Sequence, residues 1–295
     1  MPKAKVNDVE IEYDTFGDPS SKPLLLIMGL GAQMINWDAE FCSKLVERGF
    51  YVIRFDNRDV GLSTKFDEAG EPDLMKLYPK VLRGEKIEAS YRLEDMADDA
   101  VGLLTAINID KAHICGASMG GMIAQVVAYR HPSRVLSLTS IMSSTGNPDL
   151  PRPSPEAMKV LIQPLPTGRE AIIEYGVNSM RIVHGIGIPF DEERARKLVT
   201  TSYDRSNYRA GYSRQLAAIL ASGSRKQAIM SVRAPTLVIH GEADPLVPFE
   251  GGKDTAEAIP GAELLIIKGM GHSLPPEVWP KALDAITKNA SKAYQ

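Results

Sequence analysis

Little in this chain points to a disulfide scaffold, a membrane span or a nucleic-acid surface. It has 2 cysteines, Cys42 and Cys115, in 295 residues, too few for a small fold stapled by disulfides. Met1-Pro2-Lys3-Ala4-Lys5 leads into Val6-Asn7-Asp8-Val9 and not into an apolar run. No signal peptide is read there, so the expected location is cytoplasmic and the expected thiols are free. Cys115 lies in an apolar segment and reads as a small buried hydrophobe. No run is long and apolar enough to cross a bilayer, so no membrane partner is expected. Charge of one sign is lacking too: 34 Lys+Arg against 37 Asp+Glu leave a formal net charge of -3. That gives no electrostatic reason to expect nucleic acid. Repeats and low-complexity blocks are missing. So is any His/Cys cluster at metal-ligand spacing, and neither a metal nor an organic cofactor is expected.

What the chain does have is alternation. Val9, Ile11 and Tyr13 fall on one side of a leading strand, and Glu10, Glu12 and Asp14 on the other. Asn7-Asp8 before it reads as a hairpin turn. Pro23–Met28 is a continuous apolar run, as a strand buried on both faces requires. Further strands are expected at 51–55, 112–115, 135–142, 236–239 and 264–267. Helices are expected at 36–48, 93–107, 119–130 and 276–288. Strands alternating with helices predict an α/β fold with a mostly parallel central sheet.

One stretch breaks the pattern. From Gly146 to about Gly223 no strand is evident, and Pro148, Pro151, Pro153 and Pro155 open it as an exposed connection. Helical periodicity follows at 156–162, 169–183, 192–200 and 208–221. The expected organisation is a core of residues 1–145 and 224–295 with a helical cap at 146–223. A second independent domain is the alternative.

Gly116-Ala117-Ser118-Met119-Gly120 fits G-x-S-x-G between an incoming strand and an outgoing helix. The turn is tight enough that side chains flanking the serine would collide, and Gly116 and Gly120 have none. Ser118 then stands at a helix N-terminus, where the Met119 N–H can meet a developing oxyanion. A plain serine N-cap is the competing reading.

A serine nucleophile needs a base, and the base needs an orienting acid. There are 5 histidines. His272 follows the last strand in a glycine-rich loop, Lys268-Gly269-Met270-Gly271-His272, on the carboxyl edge where sites form in open α/β sheets. His113 begins a strand at the opposite edge, His131 ends a helix before Pro132, and His184 lies in the cap. His240 ends a strand but precedes the turn bearing the acid. Asp244 follows that strand in Glu242-Ala243-Asp244-Pro245, giving the chain order Ser, Asp, His. Glu242, Asp56 and Asp59 are rival carboxylates.

These segments resemble the α/β-hydrolase superfamily over nearly the whole chain. Leu26-Ile27-Met28-Gly29, Arg54-Phe55-Asp56-Asn57-Arg58-Asp59-Val60-Gly61-Leu62-Ser63, Met96-Ala97-Asp98-Asp99-Ala100, the serine turn and His240-Gly241-Glu242-Ala243-Asp244 resemble its aclacinomycin methylesterase group. The resemblance implies a carboxylesterase acting on small to medium esters, with methyl esters of bulky acids as a candidate substrate class. Many members end the first buried strand with His-Gly, and the next N–H completes the oxyanion hole. Met28-Gly29 stands there in this chain, so Leu30 is expected to supply that N–H, and the support of its loop is left open.

The expected mechanism is attack by Ser118, proton transfer to His272, an oxyanion held by Leu30 and Met119, and hydrolysis of an acyl-enzyme. Met28 and Met270 are candidate pocket residues, with core gap-fillers as the alternative. Arg181, Tyr203, Arg205 and Tyr208 are cap residues that could meet substrate. The partner called for is a small-molecule ester. Two other readings stay open: a cofactor-free perhydrolase or lactonase using the same triad, and a non-catalytic ligand-binding protein on a hydrolase scaffold.

Overall fold

The apolar runs pair into one 8-stranded sheet in the order β1-β2-β4-β3-β5-β6-β7-β8. The computed structural model describes residues 1–294, except the side chains of Tyr78 and Leu82. β1 (Lys3–Val6) and β2 (Val9–Phe16) form an antiparallel hairpin, and β2 runs antiparallel to β4 (Phe50–Phe55). The remaining pairs are parallel: β4 with β3 (Lys22–Ile27), then β5 (Ala112–Ala117), β6 (Val135–Ile141), β7 (Thr236–Gly241) and β8 (Glu263–Ile267). Each of the six runs read as a buried strand is one of these, within a residue or two.

Helices cover both faces. α1 is Ala39–Val46, α2 Leu74–Leu82, α3 Leu93–Ala106 and α4 Met119–Arg130. α5 (Pro155–Ile162), α6 (Arg169–His184), α7 (Glu192–Arg205), α8 (Arg209–Ser222) and the short α9 (Lys226–Ile229) follow β6. α10 (Glu250–Ala258) and α11 (Trp279–Ser291) complete the set. The period-2 pleat divides β3 between two cores. Leu25 and Ile27 pack with α3 and α4, while Leu24 and Leu26 pack with Phe41 and Leu45 of α1 and Trp279 and Leu283 of α11.

The first crossover from β3 goes to β4 on one side, and the chain then returns to β5 on the other. The order reverses between β3 and β5, so their carboxyl ends flank a crevice, the usual ligand site of an open α/β sheet. Gly29 follows β3 and Ser118 follows β5.

No strand occurs between β6 and β7 among the described residues; α5 to α9 fill that interval. Buried ion pairs tie this helical segment to the loop after β4. Arg214 of α8 makes two 2.8 Å bonds to the Asp59 carboxylate, with both side chains almost wholly buried. Arg205 of α7 donates to Asp56 at 2.7 Å.

Candidate active site

Strand β5 delivers Ser118 through a turn that only glycine neighbours permit. A Cβ on Gly116 would lie 2.0 Å from the Gly120 carbonyl oxygen, and one on Gly120 would lie 2.0 Å from that of Ile27. Ser118 sits at φ 56°, in the left-handed region. A non-glycine residue there carries strain of order 1–3 kcal/mol. The turn is over-determined: Ser118 N–H donates to Ile141 at 2.9 Å, and its carbonyl accepts from the Ser143 hydroxyl at 2.8 Å.

Asp244, His272 and Ser118 meet at the carboxyl edge, 28 and 154 residues apart in sequence. His272 Nδ1 lies 2.7 Å from Asp244 Oδ2, and its Nε2 lies 2.9 Å from Ser118 Oγ. An ionised carboxylate only accepts, so Nδ1 carries the proton and Nε2 turns its lone pair to the serine hydroxyl. The other oxygen, Asp244 Oδ1, accepts from the N–H groups of Leu246 at 2.9 Å and Val247 at 2.8 Å. Burial works against the Asp244 anion, but the charge of His272 and hydrogen bonds from His240, His272 and Val247 outweigh it and hold the carboxyl at about 2.

The rival groups are engaged elsewhere. Asp56 accepts from Met34 N–H and Leu62 N–H at 2.8 and 2.9 Å as well as from Arg205, and Asp59 accepts from Tyr91 at 2.7 Å as well as from Arg214. Glu242 is exposed. His113 bonds Ser137, with burial pushing its pKa down to about 4. His131 meets Asp98 at 2.6 Å. His240 is fully buried; its Nε2 lies 2.8 Å from the Val247 carbonyl and 3.5 Å from Asp244.

Gly29 brings the end of β3 against Ser118: a Cβ built on it would lie 3.1 Å from Ser118 Cβ and 3.6 Å from Oγ. Leu30 therefore begins the loop facing Ser118, and Met119 opens α4 beside it. Among the described residues, neither N–H is taken up by a backbone acceptor. Met28 is half-buried. Met270 has no accessible surface and packs among Ile239, Ile267 and Trp279. Its place in that cluster is the gap-filling role given above as the alternative.

The four residues singled out between β6 and β7 all have protein partners. Arg205 holds Asp56 and Gln33, and Tyr208 bonds Asp67 and Arg214. Arg181 is half-exposed and pairs with Glu192, and Tyr203 lies beneath the Arg169 guanidinium.

Three supports of the site had no sequence signal. The last carbonyls of α6 hold the loop of His272: its N–H donates to Val183 at 2.7 Å and Gly271 N–H to His184 at 3.0 Å. The Asn57 amide donates to the Met28 carbonyl at 3.0 Å. Gln215 of α8 accepts from the Gly31 N–H at 2.8 Å.

The α/β hydrolase fold family matches residues 22–277. A rhodomycin D methylesterase of Streptomyces peucetius is 31% identical over 93% of this chain and 93% of its own length. A 2-hydroxy-6-oxononadienedioate/2-hydroxy-6-oxononatrienedioate hydrolase of Dechloromonas aromatica is 29% identical over 90% of this chain and 85% of its own. Among solved structures, a meta-cleavage product hydrolase from Pseudomonas fluorescens has a TM-score of 0.75 at 21% identity, covering 99% of this chain and 98% of that one. At that identity the likeness is one of fold.

Proposed function

The chain belongs to the α/β hydrolase fold family, and on that premise we propose that it is a serine carboxylesterase working through an acyl-enzyme on Ser118. One observation carries the reading: a hydroxyl, an imidazole and a buried carboxylate in series, at 2.9 and 2.7 Å. Such a series can deprotonate an alcohol at neutral pH and return the proton to a leaving alkoxide.

Ser118 attacks the ester carbonyl as His272 takes its proton. Asp244 stabilises the imidazolium and keeps Nδ1 protonated. The N–H groups of Leu30 and Met119 receive the oxyanion, helped by the positive end of α4. His272 then protonates the departing alcohol. Water, deprotonated by the same ring, cleaves the acyl-enzyme. The substrate class proposed is the methyl ester of a bulky acid, supported by the 31% identity to the rhodomycin D methylesterase.

The test is a panel of p-nitrophenyl and methyl esters, from short acyl chains to polycyclic acids, assayed on wild type and Ser118→Ala. Peracid formation and lactone opening are measured alongside. Ester turnover should fall roughly 10⁴–10⁶-fold in the variant, and a fluorophosphonate should label wild type at Ser118 only. Near-normal turnover by Ser118→Ala, or no labelling of wild type, overturns the reading.

A further inference from the structure

The loop after β3 passes against Ser118 and carries the Leu30 N–H, yet its own backbone does little to fix its shape. Gly29-Leu30-Gly31-Ala32 is a turn closed by one bond, Ala32 N–H to the Gly29 carbonyl at 3.2 Å. Gly31 is its third residue and has φ +65°, a position at which one common turn type requires glycine. A four-residue turn of this kind exchanges types by flipping its central peptide, here Leu30–Gly31. The flip reverses the Gly31 N–H and the Leu30 carbonyl, and the Leu30 N–H, in the preceding peptide, shifts as the turn re-seats.

Gln215 blocks that flip. Its side chain is fully buried and both ends are engaged: Oε1 accepts from Gly31 N–H at 2.8 Å, and Nε2 donates to the Arg58 carbonyl at 2.8 Å. The second bond fixes which end of the amide faces the turn, because a reversed amide would set NH₂ against N–H and oxygen against oxygen. One helical turn away on α8, the Tyr212 ring closes over Gly31, so that a Cβ there would lie 2.6 Å from the ring. Asn57 fixes the Met28 carbonyl on the opposite flank.

We propose that Gln215, carried by a helix of the inserted segment, is a positioning residue for the oxyanion hole, selecting the turn conformation that aims the Leu30 N–H at the reacting carbonyl oxygen. The inference rests on the esterase reading above. It makes α8 part of the catalytic apparatus, although Gln215 itself touches no substrate.

Gln215→Met keeps the length of the side chain and removes both hydrogen bonds. A misaimed donor weakens transition-state binding and leaves ground-state binding nearly untouched. The expected result is a kcat lower by roughly 10- to 100-fold, with KM changed by less than about threefold. Affinity for a trifluoromethyl ketone, which forms an oxyanion on the serine, should fall by the same factor as kcat/KM. Ser222→Ala is the control. It removes another bond between α8 and the core, Leu93 N–H to Ser222 at 3.0 Å, and should leave kcat unchanged.

Amide exchange read by NMR supplies a measurement that does not depend on activity. In wild type, the Gly31 amide should exchange as slowly as core strand amides; in Gln215→Met it should speed up while β3 and β5 stay protected. A folded Gln215→Met with wild-type kcat overturns the proposal. So does a Ser222→Ala variant that loses as much, or a fast-exchanging Gly31 amide in wild type. A wild-type protein that hydrolyses no ester and escapes the fluorophosphonate instead sinks the esterase reading, whatever Gly31 exchange shows.

Discussion

Replacing Asp244 with asparagine changes one atom, and the structure dictates where that atom must go. Oδ1 accepts from two peptide N–H groups, those of Leu246 and Val247, while Oδ2 faces His272 Nδ1. The asparagine carbonyl must stay on the two N–H groups, because turning it would forfeit both bonds at about 1–2 kcal/mol each. The NH₂ is thereby directed at Nδ1, which must become an acceptor. The imidazole proton then moves to Nε2 and points at Ser118, where a lone pair is needed. Recovering the working tautomer requires turning the amide at about 2–4 kcal/mol, or roughly 30- to 1000-fold in rate. The carboxyl is held at about 2 against an ordinary 3.8, which favours the anion by about 2 kcal/mol. Part of that comes from His272, and its loss from the imidazolium formed during reaction adds roughly another tenfold. Asp244→Asn should therefore lower kcat roughly 300- to 10,000-fold, with the fold and KM little altered. Steady-state hydrolysis of a p-nitrophenyl ester gives the rate, and nitrogen-15 NMR of the imidazole gives the tautomer. A kcat within about tenfold of wild type, or a proton still on Nδ1, refutes this reasoning.

The same carboxylate sets an acid limit on stability. Its pKa is lower folded than unfolded, so its contribution is complete above about pH 4 and drains away as pH falls toward about 2. Between pH 6 and pH 2 the urea-unfolding difference between wild type and Asp244→Asn should shrink by about 2 kcal/mol; a constant difference contradicts the assignment. Gly120→Ala would drive a methyl to 2.0 Å from the Ile27 carbonyl. Thermal melting should show a loss of about 3 kcal/mol or more, and an unchanged Tm would mean that α4 is not pressed against β3. Arg214→Met strands Asp59 inside the protein and should cost about 3–5 kcal/mol in urea unfolding. Adding Asp59→Asn should recover much of that loss, and a single variant as stable as wild type would show that the pair carries no structural weight.

The strands were legible because a sheet covered on both faces needs unbroken apolar runs, and Leu24 to Ile27 or Leu237 to Ile239 are such runs. The three site residues were legible because each lies just past a strand end on one edge of the sheet. α10 was not, since Gly251-Gly252 and its charged residues hide the helical period; those glycines let the helix close on His240 and Ser144. Met270 adjoins a candidate site residue in sequence, which left pocket lining and core filling equally open; its side chain packs in the core. Arg205 and Tyr208 suggested substrate contact and instead bind protein carboxylates. Asn57, Gln215 and the carbonyls of Val183 and His184 were invisible for one reason. Each acts on, or is itself, a backbone group, and peptide groups look alike in every sequence. Gln215 meets Gly31 across 184 positions, a pairing that no local pattern encodes.

The carbonyls at the end of α6 restrict how such a chain can diverge. Adding or deleting one residue within α6 turns its final carbonyls by about 100° relative to the helix start. Val183 and His184 would swing away from the peptide groups they hold, and the base would lose its backbone anchorage without any change near it in sequence. Length variation among descendants should therefore collect in the connections before Arg169 and after Ile188, with α6 itself conserved in length. Transplanting the 146–223 segment from a relative would succeed only where the donor helix ends in the same rotational phase.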